Sequence, residues 1–326
     1  MKELHEIRRM VNDTDINETK QKIAQSDRIA VFSHIRPDGD AVGSLLAVGL
    51  ALEAIGKNIQ MILLDGVPDN FLFLMGSEKI STTFSDPVDM TIVVDCSEKE
   101  RVGKAFPDSQ TPDVNIDHHI TNRNFGSLNL VDSNAAASAE IIYNLLLKLA
   151  LPVTPGVRDA LLTGILTDTI GFRTSNVSST TLRIAADLTE LGADLPSIYK
   201  QVLASRSFQA LRYWGFGLKN LFLEDRIVWS VLTLEAREKS SYSGHDDADL
   251  INILSAMQGV DIAVVFIEQF GESVKISWRA QNGFDVSEVA EHFGGGGHRA
   301  ASGAEIRGNL LEVKELVLRK TREILK

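Results

Sequence analysis

Apolar runs and polar breaks alternate along the first half of the chain. Ile29-Ala30-Val31-Phe32 runs into Ser33 and His34 and reads as a strand. A small-residue helix is expected over about 41–55, closed by Gly56 where a C-cap glycine belongs. Ile59-Gln60-Met61-Ile62-Leu63-Leu64 is a second apolar run and Met90-Thr91-Ile92-Val93-Val94 a third strand, ending at Asp95. Val114-Asn115-Ile116 is a shorter fourth strand, ending at Asp117-His118-His119. The third and fourth strands show little polar alternation, as strands buried on both faces do. A polar helical lead-in occupies 1–27, and helices are expected over 137–149, 156–167 and 178–191.

Strands alternating with helical patterns predict βαβ units and a parallel sheet with helices on both faces. A long helix over 197–223, with Gly215 and Gly217 inside it, is expected to connect to a second, smaller α/β domain. That domain holds a strand over 226–232 and a hairpin turning at Gly271 between Ile262-Ala263-Val264-Val265-Phe266-Ile267 and Val274-Lys275-Ile276-Ser277-Trp278-Arg279. A helix over 286–292 follows, then the run Gly294-Gly295-Gly296-Gly297-His298 and a last helix over 310–325. The expected division is 1–190, a helical connector over 191–224, and 225–326.

At 326 residues the chain is long for one core, which agrees with two domains. The single cysteine, Cys96, excludes an intrachain disulfide and fits a reducing compartment. The first thirty residues show no secretory leader and no apolar run spans a bilayer, so a cytoplasmic protein with no membrane partner is expected. A net charge of −11 disfavours long duplex DNA, whose binding needs many basic contacts to phosphate.

In parallel sheets ligands bind beyond the carboxyl ends of the strands. Three strands end at a ligand-type residue: His34, Asp95 and the cluster at 117–119. Asp38 and Asp40 share the loop after His34, broken by Pro37 and Gly39, and Asp168 stands near a helix end. A plainer reading of that loop is a helix cap, with Asp40 at the N-cap. Together, His34, Asp38, Asp40, Asp95, His118 and Asp168 suit two divalent ions in mixed nitrogen and oxygen coordination. Manganese fits such donors, with iron, cobalt or magnesium as alternatives. Asp95, alone on the middle strand, is the expected bridge. Two ions roughly 3.5–4 Å apart can hold a bridging water, lower its pKa and stabilise attacking and leaving oxygens, as phosphoester hydrolysis requires.

The stretches HIRPDGDAVGS, VVDCS, NIDHH and LTDT, in this order, resemble the four motifs of the DHH phosphoesterase family. FGGGGHRAASGA resembles the signature of the DHH-associated domain. The resemblance implies that His34, Asp38 and Asp95 hold one ion, and that Asp40, Asp95, His118 and Asp168 hold the other. It implies that His119 faces the scissile phosphate as donor or general acid and that Asp117 orients it. Gly295, Gly296, Gly297 and His298 would cradle a substrate phosphate, and Arg279 would bind one. The length and domain pairing resemble the branch that degrades very short RNA from an end and removes the 3′-phosphate of 3′-phosphoadenosine 5′-phosphate.

The expected partners are therefore short single-stranded RNA or mono- and dinucleotides, and the connector and strand edges could support a homodimer. Alternatives are hydrolysis of a cyclic or linear dinucleotide, hydrolysis of polyphosphate, or nucleotide sensing without catalysis. Asn122 and Arg123 are read equally as phosphate contacts or as capping and surface residues. Cys96, Trp214, Trp229 and Trp278 are expected to pack, and His5, His245 and His292 have no assigned role.

Overall fold

The computed structural model describes residues 12–325 apart from positions 86, 108 and 282, so His5 and the start of the lead-in lie outside the described residues. The lead-in helix is α1 (Asp13–Gln25), capped by Asn12. It is followed by β1 (Arg28–Phe32), α2 (Gly39–Glu53), β2 (Asn58–Ile62), β3 (Ile80–Ser81), β4 (Met90–Val94), β5 (Val114–Asp117) and β6 (Leu128–Val131). Helices α3 (Ser138–Leu149), α4 (Pro155–Asp168), α5 (Ser179–Glu190) and α6 (Leu195–Tyr199) come next. The strands form one parallel sheet in the order β3-β2-β1-β4-β5-β6. The short edge strands β3 and β6 have no counterpart in the apolar pattern.

Alternation along β1 divides the core. Ile29 and Val31 face a large cluster built with the α-helices, while Ala30 and Phe32 face a smaller one with Val102 and Phe106. Helices thus cover both faces unequally, the second face carrying the 3₁₀ helix Lys99–Ala105. Helix α2 is buried from Gly39 to Leu52, and its apolar residues are not confined to one stripe, as suits an internal helix. It crosses α4 at close range. A Cβ on Gly43 would lie 2.4 Å from the Ala160 carbonyl oxygen, and one on Gly164 would lie 2.6 Å from Asp40 Oδ1.

The helix expected over 197–223 is not continuous. After α6 comes a π-helical turn, Lys200–Ala204, and the backbone is extended at Ser205. Ser207 then caps a new helix, α7 (Phe208–Lys219), its Oγ accepting from Ala210 N. The end of the stretch is a strand, β7 (Leu221–Glu224), because its main chain pairs antiparallel with β8 (Ile227–Leu232). The chain divides into two compact units at Ser205 and Arg206, within the stretch expected to connect them.

The second unit continues with α8 (Leu234–Ser240), α9 (Leu250–Leu254), β9 (Ile262–Gln269), β10 (Ser273–Ala280), α10 (Ser287–His292), β11 (Gly296–His298), β12 (Ala301–Arg307) and α11 (Leu310–Glu323). Its sheet runs β11-β12-β10-β9-β8-β7 and is mixed: β8 and β9 are parallel, the other pairs antiparallel. The expected hairpin is β9–β10, with Gly271 at φ +78° in its turn. Trp278 is fully buried and donates Nε1–H to Thr321 Oγ1, and Trp229 stacks on Phe222. Both tryptophans pack, as does Trp214, which donates to the Ala248 carbonyl.

Candidate metal centre

Parallel strands deliver their last residues to one edge, and the carboxyl ends of β1, β4 and β5 carry the candidate donors there. Ser33 Oγ donates to the Val94 carbonyl at 2.8 Å, tying the ends of β1 and β4 together. His34 follows, with Nδ1 2.8 Å from the Ile35 carbonyl oxygen. A carbonyl only accepts, so Nδ1 carries a proton, and in the neutral ring Nε2 keeps its lone pair. His118, after β5, repeats the device with Nδ1 3.3 Å from the Ala135 carbonyl. Both imidazoles are thereby set to offer Nε2, the arrangement of a metal-ligating histidine.

Asp95 lies between them. Its Oδ2 is 3.5 Å from His34 Nε2, and its Oδ1 is 3.7 Å from His118 Nε2. Its backbone is held at φ +53°, a left-handed conformation that Asp tolerates better than most residues. Asp38 is the N-cap of α2, its Oδ1 accepting from the amides of Asp40 and Ala41. The cap expected at Asp40 therefore falls at Asp38, because the helix begins at Gly39. The same Asp38 oxygen is 4.0 Å from His34 Nε2. Asp40 is fully buried, and Asp168, the last residue of α4, has Oδ2 3.2 Å from His118 Nε2.

The donors fall into groups whose atoms lie within 4.8 Å of one another: His34 with Asp38 and Asp95, Asp40 with His118 and Asp168, and Asp95 with Asp117 and His119. The charges of the cluster are unbalanced. Burial, and then the charges of Asp95 and Asp168, push the Asp40 carboxyl well above the usual range. Burial and the charges of Asp38 and Asp95 do the same to Asp168. Asp95 goes the other way: its burial is outweighed by the hydrogen bond from His34 and the charges of His119, His34 and His118. Burial lowers the affinity of His34 for a proton, but Asp95 and Asp38 outweigh it and raise its pKa. Oxygen-rich donors with excess negative charge and two oriented imidazoles fit divalent ions.

Beside the cluster, His119 Nδ1 lies 2.7 Å from Asp117 Oδ1. Burial opposes the protonated ring, but the Asp117 bond and charge raise its pKa overall. Asn122 donates Nδ2–H to the other Asp117 oxygen at 2.5 Å and to Asn115 Oδ1 at 2.8 Å. Asn122 thus holds the orienting carboxylate, while Arg123 is an exposed partner of Glu98. Cys96 is buried, donates to the Glu98 carbonyl, and has its thiol pushed up to about 12, chiefly by burial.

In the second unit, Arg279 sits one residue from the end of β10 and donates Nε–H to Asn252 Oδ1 at 3.2 Å. The first two glycines of the run close α10. Gly294, at φ +74°, donates to the Glu291 carbonyl and Gly295 to that of Ala290, a Schellman ending. The Gly295 amide is therefore engaged by the Ala290 carbonyl. Gly296, Gly297 and His298 form the edge strand β11.

Sequence reasoning missed Ser138, whose Oγ donates to Asp95 Oδ1 at 2.9 Å, and Asn115, which helps hold Asn122. No spacing rule links either to the donors.

Residues 28–165 match the DHH family, N-terminal domain, and residues 230–326 match the DHHA1 domain. Over 304 residues the chain is 32% identical to the bifunctional oligoribonuclease and PAP phosphatase NrnA of Thermus thermophilus, covering 91% of this chain and 90% of that one. The chain belongs to the DHH family. DHH phosphoesterases depend on divalent metal ions, and the donor groups of the first unit could hold such ions. It is also 27% identical to the cyclic-di-AMP phosphodiesterase PdeA of Listeria monocytogenes, covering 88% of this chain but 46% of that protein. The crystal structure of an exopolyphosphatase-related protein from Bacteroides fragilis shares the fold, with a TM-score of 0.88 at 24% identity, covering 97% of this chain and 99% of that one.

Proposed function

We propose that this DHH protein is a two-metal phosphoesterase that removes nucleotides from an end of very short RNA and the 3′-phosphate from 3′-phosphoadenosine 5′-phosphate. The observation that carries the reading is the placement of Asp95, whose two oxygens face imidazoles from two separate donor groups. The similarity to the bifunctional oligoribonuclease and PAP phosphatase, along about nine tenths of both chains, supports the substrate class.

His34, Asp38 and Asp95 hold one ion in this reading. Asp40, Asp95, His118 and Asp168 hold the other, and the oxygen-rich set favours manganese. When bound, the ions supply Lewis acidity and a water acidic enough to attack at neutral pH. His119, oriented through Nδ1 by Asp117, donates a proton to the leaving oxygen. Asp117 keeps the imidazole in that orientation and favours its charged form. Arg279 binds a substrate phosphate, with Gly296, Gly297 and His298 contributing main-chain and imidazole contacts. We place the protein in the cytoplasm; among the described residues no helix is long and apolar enough to cross a membrane.

A side-by-side turnover assay with Mn²⁺ on a dinucleotide, 3′-phosphoadenosine 5′-phosphate, a cyclic dinucleotide and polyphosphate tests this. The first two are expected to turn over fastest, and EDTA to abolish both reactions. Full turnover after exhaustive chelation would sink the metal mechanism. Preference for the cyclic dinucleotide would favour the second reading, which the likeness to the cyclic-di-AMP phosphodiesterase supports. Tight nucleotide binding without turnover would make the protein a sensor.

A further inference from the structure

The first turn of α3 touches two of the proposed metal donors at once. The amide of Ser138 donates to Asp40 Oδ2 at 2.6 Å and that of Ala139 to Asp40 Oδ1 at 3.0 Å. A helix leaves its first amides without internal partners, and Ala137, at the N-cap, has no side-chain oxygen to offer them. Asp40, from a distant part of the chain, caps α3 instead. The hydroxyl of the same Ser138 donates to Asp95 Oδ1 at 2.9 Å. Asp40, Asp95 and Ser138 are each at most 1% exposed, so no solvent competes for these bonds.

We propose that Ser138 is a positioning residue that fixes the separation of Asp40 and Asp95, and through them the separation of the two metal ions. The proposal rests on the reading that these carboxylates hold ions. A carboxylate oxygen has two lone-pair directions. The serine hydroxyl occupies one on Asp95 Oδ1 and leaves the other for an ion. Rotation of the Asp95 carboxylate would break that bond, so the hydroxyl also fixes which way the bridge faces. The turn that carries Ser138 is itself anchored. Glu140 Oε2 accepts from the Ala136 amide at 3.1 Å and from Thr181 Oγ1 at 2.8 Å, which ties the entrance of α3 to the first turn of α5.

The buried serines Ser33 and Ser240 bond main-chain carbonyls, those of Val94 and Arg237. Ser138 instead reaches a carboxylate 43 residues away in sequence. Ser138→Ala isolates this bond, because it removes the hydroxyl and keeps both amides on Asp40.

The test is calorimetric titration of Mn²⁺ into the full, metal-stripped chain, with circular dichroism and thermal melting in chelator as the check on folding. Wild type should bind two ions. Ser138→Ala should melt as wild type in chelator, yet bind manganese about 10–100-fold more weakly at one or both sites, as loss of an outer hydrogen-bond partner does. Its activation curve should move to higher Mn²⁺ by the same factor, with most of kcat regained at saturation. Unchanged manganese affinity would overturn the proposal. So would a large loss of stability in chelator, which would make Ser138 a folding residue. If wild type bound no manganese, this inference and the two-ion reading would fall together, whereas failure of Ser138→Ala alone would leave the two-ion reading standing.

Discussion

In the first unit every candidate donor sits just past the carboxyl end of a strand or at a helix end, while in the second the candidate phosphate contacts lie near the end of a hairpin strand and along a sheet edge. The difference follows from strand direction. A parallel sheet sends all its carboxyl ends to one edge, so His34, Asp95 and His118 converge although they are far apart in sequence. A mostly antiparallel sheet sends alternate ends to opposite edges. Its contacts must be placed one by one, as Asn252 places Arg279 and as β11 carries its glycines. Convergence suits chemistry that needs many charges in one place, and separate placement suits recognition.

The comparison breaks first at His119. His119→Ala should lower kcat by about 10²–10⁴-fold, the usual worth of a general acid, while manganese binding measured by calorimetry stays near wild type. A variant that instead lost its metal would move His119 from proton transfer to the donor set. Arg279→Gln should act on the other side of the contrast. Loss of a charge-assisted bond costs about 1.5–3 kcal/mol, so KM for a dinucleotide should rise at least tenfold with kcat little changed. Equal losses in kcat and kcat/KM would mean that the second unit shares in the chemical step.

Much of the first unit was legible because its signals are local and repeated. Three of the four apolar runs end in a ligand-type residue, and helices α2 to α5 begin and end close to their expected limits. What escaped was set at a distance or by context. Ser138 reads as an ordinary helix-start residue, and its acceptor is known only once α3 is docked. The run Leu221-Phe222-Leu223 continues an apolar helix pattern, and only pairing with β8 makes it a strand. Gly295 reads as part of a phosphate cradle, but the helix that ends before it already engages its amide.

Smaller effects sharpen the contrast between the interiors. Gly43→Ala should destabilise the first unit by about 1–3 kcal/mol, the cost of overpacking where backbone is the obstacle, read from its thermal midpoint in chelator. In the second unit, Asp247 is buried near Asp249 and Asp246. Burial first, and then those charges, raise its carboxyl to about 6. The folded form holds the proton more tightly than the unfolded one, so this stabilisation is complete below about pH 4 and is lost as pH rises through 6. Melting curves of wild type should show that decline, at most about 1.4 kcal/mol per pH unit, and Asp247→Asn should flatten it.

The close crossing of α2 and α4 limits how this sequence can diverge. An added carbon at 43 meets main chain, and one at 164 meets the Asp40 carboxylate. A relative that keeps the crossing must therefore keep glycine at both places, or part the helices and shift the aspartate with them. Exposed positions such as Ile120, beside His119 and 68% exposed, carry no such restriction. Drift in what the protein binds can proceed along the rim, while the spacing beneath it is held by two residues with no side chain at all.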